Sequence, residues 1–189
     1  RERRQEEREH TLRKSIPATL AVLLLAGLAS AQLQYQNMIP IPSYASTYSG
    51  SFTRGFVCQV PVDLTVVGLR VPDEQSQGQQ HVCLYTSPTL PPAFSATVNL
   101  TPVFSKFGEP SANIIPCSVP FKKGEFLITL GACATSIGAT LKNSYAATGN
   151  FNTTIFGQAT TLMRCGTQFN ISTLPPPHPV CSINNSTSS

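Results

Sequence analysis

Six cysteines are the residues of this chain whose number and spacing indicate chemistry most directly. They stand far apart and form no C-x-x-C motif, which disfavours a zinc site or a thioredoxin-like redox pair. An even number of cysteines in an exported chain favours structural disulfides, each contributing about 2–4 kcal/mol. We therefore predict disulfides, with Cys165–Cys181 and Cys117–Cys133 among the open pairings. The cysteines are Cys58, Cys83, Cys117, Cys133, Cys165 and Cys181.

Histidines suited to catalysis are scarce. His81 could form a triad with Asp63 or Asp73 and a serine, but no G-x-S-x-G elbow accompanies it. A histidine on a strand, facing solvent, is the better interpretation of His81. His178 lies among prolines, which are a poor scaffold for precise catalytic geometry.

The carboxylates do not form a recognisable site either. Asp73 and Glu74 are adjacent in a turn, and with loop carbonyls before Gly78 they form a Ca²⁺ candidate that lacks the D-x-D-x-D spacing. Asp63 and Glu125 also have the sequence context of turn residues. The sequence therefore predicts a protein that is not an enzyme and holds no metal or cofactor.

An apolar stretch near the start of the chain has the order of a secretory signal peptide. Arg13 and Lys14 precede the apolar run Ile16–Leu28, which ends in Ala29-Ser30-Ala31, an A-x-A cleavage site. The alternative is a transmembrane anchor, which needs about 20 apolar residues. We predict a signal peptide at residues 12–31, and a mixed-charge extension at 1–11 that is not translated. The mature protein is then extracellular or at the cell surface, and meets the membrane only through the transient signal peptide.

Five Asn-x-Ser/Thr triplets are candidate N-glycosylation sites if the source is eukaryotic. A chain rich in Ser, Thr and Asn also produces such triplets by chance. The candidates are Asn99, Asn152, Asn170, Asn184 and Asn185.

The elements that must position these residues are predicted to be strands. The chain has 12% charged residues, no Trp and no basic stripe, which argues against nucleic acid as a partner. Short apolar or alternating segments bounded by Gly, Pro, Asn and Ser indicate an all-β, antiparallel sandwich or jelly roll, stapled by disulfides. The predicted organisation is an extended segment at 32–50, the β-sandwich domain at 51–172 and a Pro/Ser/Asn-rich tail at 173–189.

Eight strands are predicted from these segments. Residues 65–69 are apolar on both faces, which predicts a central strand. Residues 87–110 contain several prolines and are predicted to be a long connection. The predicted strands are Ser51–Val60, Leu64–Val71, His81–Thr86, Ala112–Val119, Glu125–Leu130, Asn152–Phe156, Thr160–Cys165 and Gln168–Ile171.

One pattern resembles uncharacterised exported β-sandwich domains of bacteria, in which an R-G-aromatic strand precedes P-x-D-[FL]-x-[IV]-x-G-L-R-V-P. The resemblance implies a β-sandwich but no activity, and the cysteines are an addition to the pattern. Arg54 and Arg70 belong to it, and pairing with acids or strand-end carbonyls is the favoured interpretation over binding of acidic sugars. The matching segments are Thr53–Phe56, Pro61–Pro72, Pro91–Ser95, Lys123–Glu125, Ile128–Gly131 and Leu162–Phe169.

The function that the sequence favours is a non-enzymatic structural or assembly protein of an extracellular matrix, surface layer or fibre, ahead of two other functions. In the favoured function Leu33–Ser46 donates a strand to a second copy. The alternative for that segment is the first strand of its own domain. The second function is a carbohydrate-binding or adhesion module for extracellular polysaccharide, with Tyr44 and Tyr48 as its platform. The third, a hydrolase acting through His81, has no adequate catalytic set.

Overall fold

The computed structural model describes residues 36, 38–146 and 149–183. The predicted signal peptide, the extension at 1–11 and the candidate sites Asn184 and Asn185 lie outside these residues. The described part of the chain is all-β, with antiparallel strand pairing and no α-helix. It therefore contains no helix long and apolar enough to cross a membrane.

The strands in the described residues are β1 (Ser46–Gly50), β2 (Thr53–Gln59), β3 (Leu64–Leu69), β4 (Gln79–Ser87), β5 (Val98–Leu100), β6 (Phe104–Pro110), β7 (Ile115–Phe121), β8 (Phe126–Ala134), β9 (Leu141–Tyr145), β10 (Asn150–Ile155), β11 (Gln158–Thr167) and β12 (His178–Ser182).

Ten of these strands form one antiparallel sheet, and β3 and β7 form a second. In the large sheet β8 pairs with β4 over nine residues along one edge and with β2 along the other. From β2 the sheet continues through β11 and β12 to β5, while β1 joins it through β9.

Both faces of the large sheet are covered. On one face Cys58, Leu127 and Leu162 pack with the β3–β7 pair, which contributes Leu64 and Phe121. This arrangement accounts for the alternation along residues 56–60, where Phe56, Cys58 and Val60 all belong to this cluster.

A second core lies on the opposite face. Here Tyr85 of β4 and Val180 of β12 belong to one buried cluster, although β8, β2 and β11 separate their strands in the sheet. The sheet must therefore curve so that its two ends face each other. A buried hydrogen bond of 2.5 Å between the Tyr85 hydroxyl and Nδ1 of His178 connects these ends.

The predicted disulfides are wrong: within the described residues all six cysteines are free thiols, and no two lie at disulfide distance. Cys165 is opposite Ser182 and Cys181 is opposite Gly166, so the two cysteines point to opposite faces of the sheet. Cys117 and Cys133 lie in different sheets. The six predicted partners are Cys58, Cys83, Cys117, Cys133, Cys165 and Cys181.

These cysteines instead serve as small apolar side chains, since all but Cys117 are buried. Burial raises the pKa of Cys58 to about 11 and that of Cys83 to about 12. Thiols held in the protonated form and away from solvent are poor nucleophiles.

Most predicted strands are found within a few residues of their expected positions, but four differences matter. Gln168–Ile171 is not a strand, because Asn170 Oδ1 accepts from the main-chain N–H of Ser172 and closes a turn. β3 is not central, since it pairs only with β7 and Val67 is 49% exposed. The connection at 87–110 contains β5 and β6. The region at 173–189 contains β12, whose Val180 and Cys181 are fully buried.

Candidate functional site

The Arg-Gly-Phe motif of β2 lies where three strands approach closely. A Cβ added at Gly55 would lie 1.8 Å from the carbonyl oxygen of Thr129 on β8. One added at Gly166 of β11 would lie 2.6 Å from the carbonyl oxygen of Thr53 and 2.9 Å from Cδ of Arg54. Glycine at both positions lets β2 pack closely against its neighbours and lets the Arg54 side chain cross β11.

Arg54 is held in this position by neutral acceptors. Its Nη1 donates to the carbonyl oxygens of Thr167 at 2.8 Å and Thr53 at 3.4 Å. Its Nη2 donates to Oε1 of Gln168 at 3.5 Å. The favoured sequence interpretation of Arg54, pairing with a strand-end carbonyl, describes these contacts.

Aromatic rings extend from this guanidinium toward solvent. The Arg54 guanidinium carbon lies 4.1 Å from the ring centroid of Phe52, a cation–π distance. The ring of Tyr48 lies 5.0 Å from that of Phe52, tilted by 42°, and Tyr48 is 56% exposed. Asn143 anchors the start of β2, because its Nδ2 donates to the Phe52 carbonyl and its Oδ1 accepts from the Arg54 N–H.

A second arginine continues the same surface. The guanidinium carbon of Arg164 on β11 lies 5.5 Å from the ring centroid of Tyr145 on β9. Burial lowers the pKa of Arg54, and the nearby charge of Arg164 also lowers it. Both groups remain charged at neutral pH, because an arginine pKa starts above 12. We call Tyr48, Phe52, Arg54, Tyr145 and Arg164 the aromatic–arginine surface.

The two predicted platform tyrosines are not equivalent. Tyr48 lies on β1 and stacks with Phe52, whereas Tyr44 precedes β1 and its hydroxyl lies 3.0 Å from Oγ1 of Thr47. Tyr44 is 47% exposed. Sequence reasoning missed Phe52, Tyr145 and Arg164, and the available signal was the R-G-aromatic strand preceded by another aromatic.

The predicted strand-donating segment lies against its own domain where the structure describes it. Oε1 of Gln36 accepts from the N–H of Phe156, and the Pro40 carbonyl accepts from Oγ1 of Thr153. The Ala45 N–H donates to the Tyr145 carbonyl, after which β1 pairs with β9. Part of the segment Leu33–Ser46 lies outside the described residues.

Candidate catalytic groups bond to other partners and do not form a triad with one another in the described residues. His81 is fully buried rather than solvent-facing, and its Nδ1 accepts from the Gly108 N–H at 3.0 Å. Asp63 pairs with Lys122 at 3.0 Å. His178 is buried against Tyr85, in a strand rather than a tail.

The Asp73 carboxylate is already engaged by donors from its own loop. Its Oδ1 accepts from the Gln77 N–H, and its Oδ2 accepts from the Gly78 N–H and from Oγ of Ser111 at 2.7 Å. Hydrogen bonds to the charged form lower the pKa of Asp73 although burial opposes them. Among the described residues no group of three or more His, Cys, Asp or Glu side chains could hold a metal ion.

An open hollow of about 650 Å³ lies beside this loop. Its lining includes Met38, Ile41, Arg70 and Glu74. Arg70 donates from Nε to the Ser111 carbonyl at 3.2 Å, so it too pairs with a carbonyl. Asp73, Ser76 and Ser111 also line the hollow, and the Asp73 carboxylate there accepts from Oγ of Ser111.

The candidate glycosylation sites differ in exposure. Asn99 on β5 and Asn152 on β10 are exposed. Asn170 is buried, and its Nδ2 donates to the Ala139 carbonyl.

Comparisons with protein-family models, characterised proteins and solved structures found no match to this chain. The class defined by fold and site is an all-β domain with a largely half-buried surface of aromatic rings and arginines, in which Tyr48 is exposed.

Proposed function

We propose that this chain is an exported, non-enzymatic carbohydrate-binding or adhesion module. In this proposal its two sheets form a β-sandwich scaffold of the kind suggested by the resemblance to exported bacterial domains. The aromatic–arginine surface is the binding platform. The observation that supports it is the exposed Tyr48 ring stacked with Phe52 beside the Arg54 guanidinium.

Aromatic rings at an exposed surface pack well against the apolar faces of sugar rings, while the tyrosine hydroxyl and the arginine N–H groups can hydrogen-bond to sugar hydroxyls. A ring already held by a neighbour loses little conformational entropy on binding. Tyr48 has this property, because Phe52 supports one side of it and much of its surface remains open to solvent.

The test is binding of the secreted protein to a panel of insoluble and soluble polysaccharides, with affinity measured by titration calorimetry. We expect Tyr48→Ala to weaken binding about tenfold or more, since a central aromatic anchor contributes at least ~1.4 kcal/mol. Phe94→Ala is the matched control, because Phe94 is 61% exposed but outside the aromatic–arginine surface. Equal loss in both variants, or binding to no polysaccharide, would refute the proposal.

A structural subunit of a matrix, surface layer or fibre is the second candidate. It is favoured by the β3–β7 pair, which is hydrogen-bonded to no other strand in the described part of the chain and exposes Val67 and Ile114. Unpaired strand edges are templates for further pairing. Light scattering on wild type and on Ile114→Lys tests it: oligomers that the substitution disperses support assembly, and a wild-type monomer at all concentrations excludes it.

A further inference from the structure

We infer that the glycan bound by the aromatic–arginine surface is anionic, with carboxylate or sulfate groups that the Arg54 guanidinium contacts. This inference rests on the proposed binding function. It specifies the ligand class, which aromatic stacking alone leaves open.

Arg54 has no acid partner in the described residues. Its acceptors are two main-chain carbonyls and one amide oxygen, all neutral. The half-buried guanidinium therefore retains its full charge without a counterion. An arginine in this state has a strong preference for a planar or tetrahedral oxyanion, to which it can donate two hydrogen bonds.

The carboxylates of the described residues lie elsewhere. Asp63 pairs with Lys122, and Glu125 accepts from the Lys122 N–H. Asp73 closes its own loop, and Glu74 lines the hollow beside it. Glu109 lies on β6, where it is opposite Gln80 at the other end of the large sheet. No neutralising group from the described residues therefore reaches Arg54.

The donors of Arg54 that remain unused point to a ligand. The Arg54 Nε–H has no acceptor in the described residues. The buried side-chain polar atoms without a partner there are His81 Nε2 and Thr167 Oγ1, so the Arg54 Nε–H is accessible to solvent. Nε–H and the second Nη2 hydrogen lie on the same side of a guanidinium. Together they form the two-pronged donor that matches an oxyanion.

The aromatic and cationic parts of the surface lie close together. The Arg54 guanidinium covers the Phe52 ring at 4.1 Å, and the exposed Tyr48 ring lies 5.0 Å from that of Phe52. A sugar stacked on Tyr48 would bring its carboxylate or sulfate toward Arg54.

The experiment compares four soluble polymers: polygalacturonate, its methyl ester, dextran sulfate and dextran. Binding to polygalacturonate or dextran sulfate at least about tenfold tighter than to the neutral polymer of the same backbone is the expected result. The affinity should fall as salt rises, and the two anionic polymers distinguish carboxylate from sulfate as the source of the charge. Equal binding to charged and neutral polymers would overturn the inference while leaving the proposed function standing. If the protein binds none of these polymers and no other glycan, both the inference and the proposed function are wrong.

Variants separate a specific contact from general attraction to a basic protein. Arg54→Gln removes the charge and the two-pronged donor, and Arg54→Lys keeps the charge alone. Arg70→Gln removes one positive charge that lies outside the aromatic–arginine surface, at the hollow beside Ser111. We expect losses of about tenfold or more for both Arg54 variants and less than about twofold for Arg70→Gln. Thermal unfolding of each variant confirms that it is folded. If folded Arg54→Lys binds like wild type, or if Arg70→Gln loses as much as Arg54→Gln, the inference is wrong.

Discussion

The buried pair Tyr85–His178 gives the sharpest test of how the domain is held closed. Nε2 of His178 lies 2.9 Å from the Leu174 carbonyl, which can only accept, so Nε2 carries the proton. Nδ1 is therefore an acceptor, and the Tyr85 hydroxyl donates to it. Burial raises the pKa of Tyr85, which keeps this hydroxyl protonated.

Tyr85→Phe removes the donor and leaves Nδ1 of His178 buried without a partner. Both side chains are at most 1% exposed, so water cannot replace the lost hydroxyl. An unsatisfied buried acceptor costs about 1–3 kcal/mol. For a domain of this size that corresponds to a fall in Tm of about 2–12 °C.

The assay is urea unfolding followed by fluorescence, with the free energy of unfolding and the m value fitted together. Tyr44→Phe is the matched control, because its hydroxyl is exposed and bonds only Thr47 in the described chain. We expect that control to lie within about 0.5 kcal/mol of wild type.

A double variant, Tyr85→Phe with His178→Leu, extends this test. Replacing both partners by apolar groups should cost less than the sum of the single substitutions, with a coupling of about 0.5–3 kcal/mol. A Tyr85→Phe protein as stable as the Tyr44→Phe control would refute the hydrogen bond as a link between the two ends of the sheet.

Three further predictions follow from buried groups. Burial lowers the pKa of His81 below its ordinary value near 6.5, so its contribution to stability is complete above that pH and is lost as the pH falls below it. The free energy of unfolding in urea should therefore decline between pH 7.5 and 5, by at most ~1.4 kcal/mol per pH unit for this one proton, and less steeply in His81→Gln. Parallel declines in the two proteins would contradict this prediction. Gly166→Ala should lower the free energy of unfolding by about 1–3 kcal/mol and also weaken polysaccharide binding, because the added Cβ displaces Arg54. A crystal structure of the variant in which Arg54 keeps its hydrogen bonds would disprove this reasoning. Dithiothreitol should leave the Tm of the native protein unchanged within about 1 °C, and a thiol reagent should count all six cysteines only after unfolding; a large fall in Tm on reduction would show that disulfides are present.

Local pattern in the sequence was sufficient for the β class and for most strand positions. Alternation in β2 marks its two faces, and prolines such as Pro61 and Pro72 mark where strands end, because both effects act between near neighbours in the chain. The strands that escaped prediction are short or flanked by proline, as β5 is. β12 has a proline within it, and only its pairing with β11 and β5 makes it part of the sheet.

Partnerships between distant residues depended on the tertiary structure. Cysteine number and spacing favoured disulfides, but the β11–β12 register sends Cys165 and Cys181 to opposite faces. The sequence places His81 on a strand face turned to solvent and His178 among prolines. Both are nevertheless buried, because the large sheet is covered on each face and curves on itself.

The sequence by itself therefore determined the β class, most of the strand positions and the glycine-containing motif around Arg54. Only the tertiary structure brought Tyr48, Phe52, Arg54, Tyr145 and Arg164 into one surface. Tyr145 and Arg164 come from segments far along the chain from residues 48–54, and the β1–β9 and β2–β11 registers bring them beside those residues. A register is chosen by the packing of whole strand faces, so no short stretch of sequence contains the information that places them together.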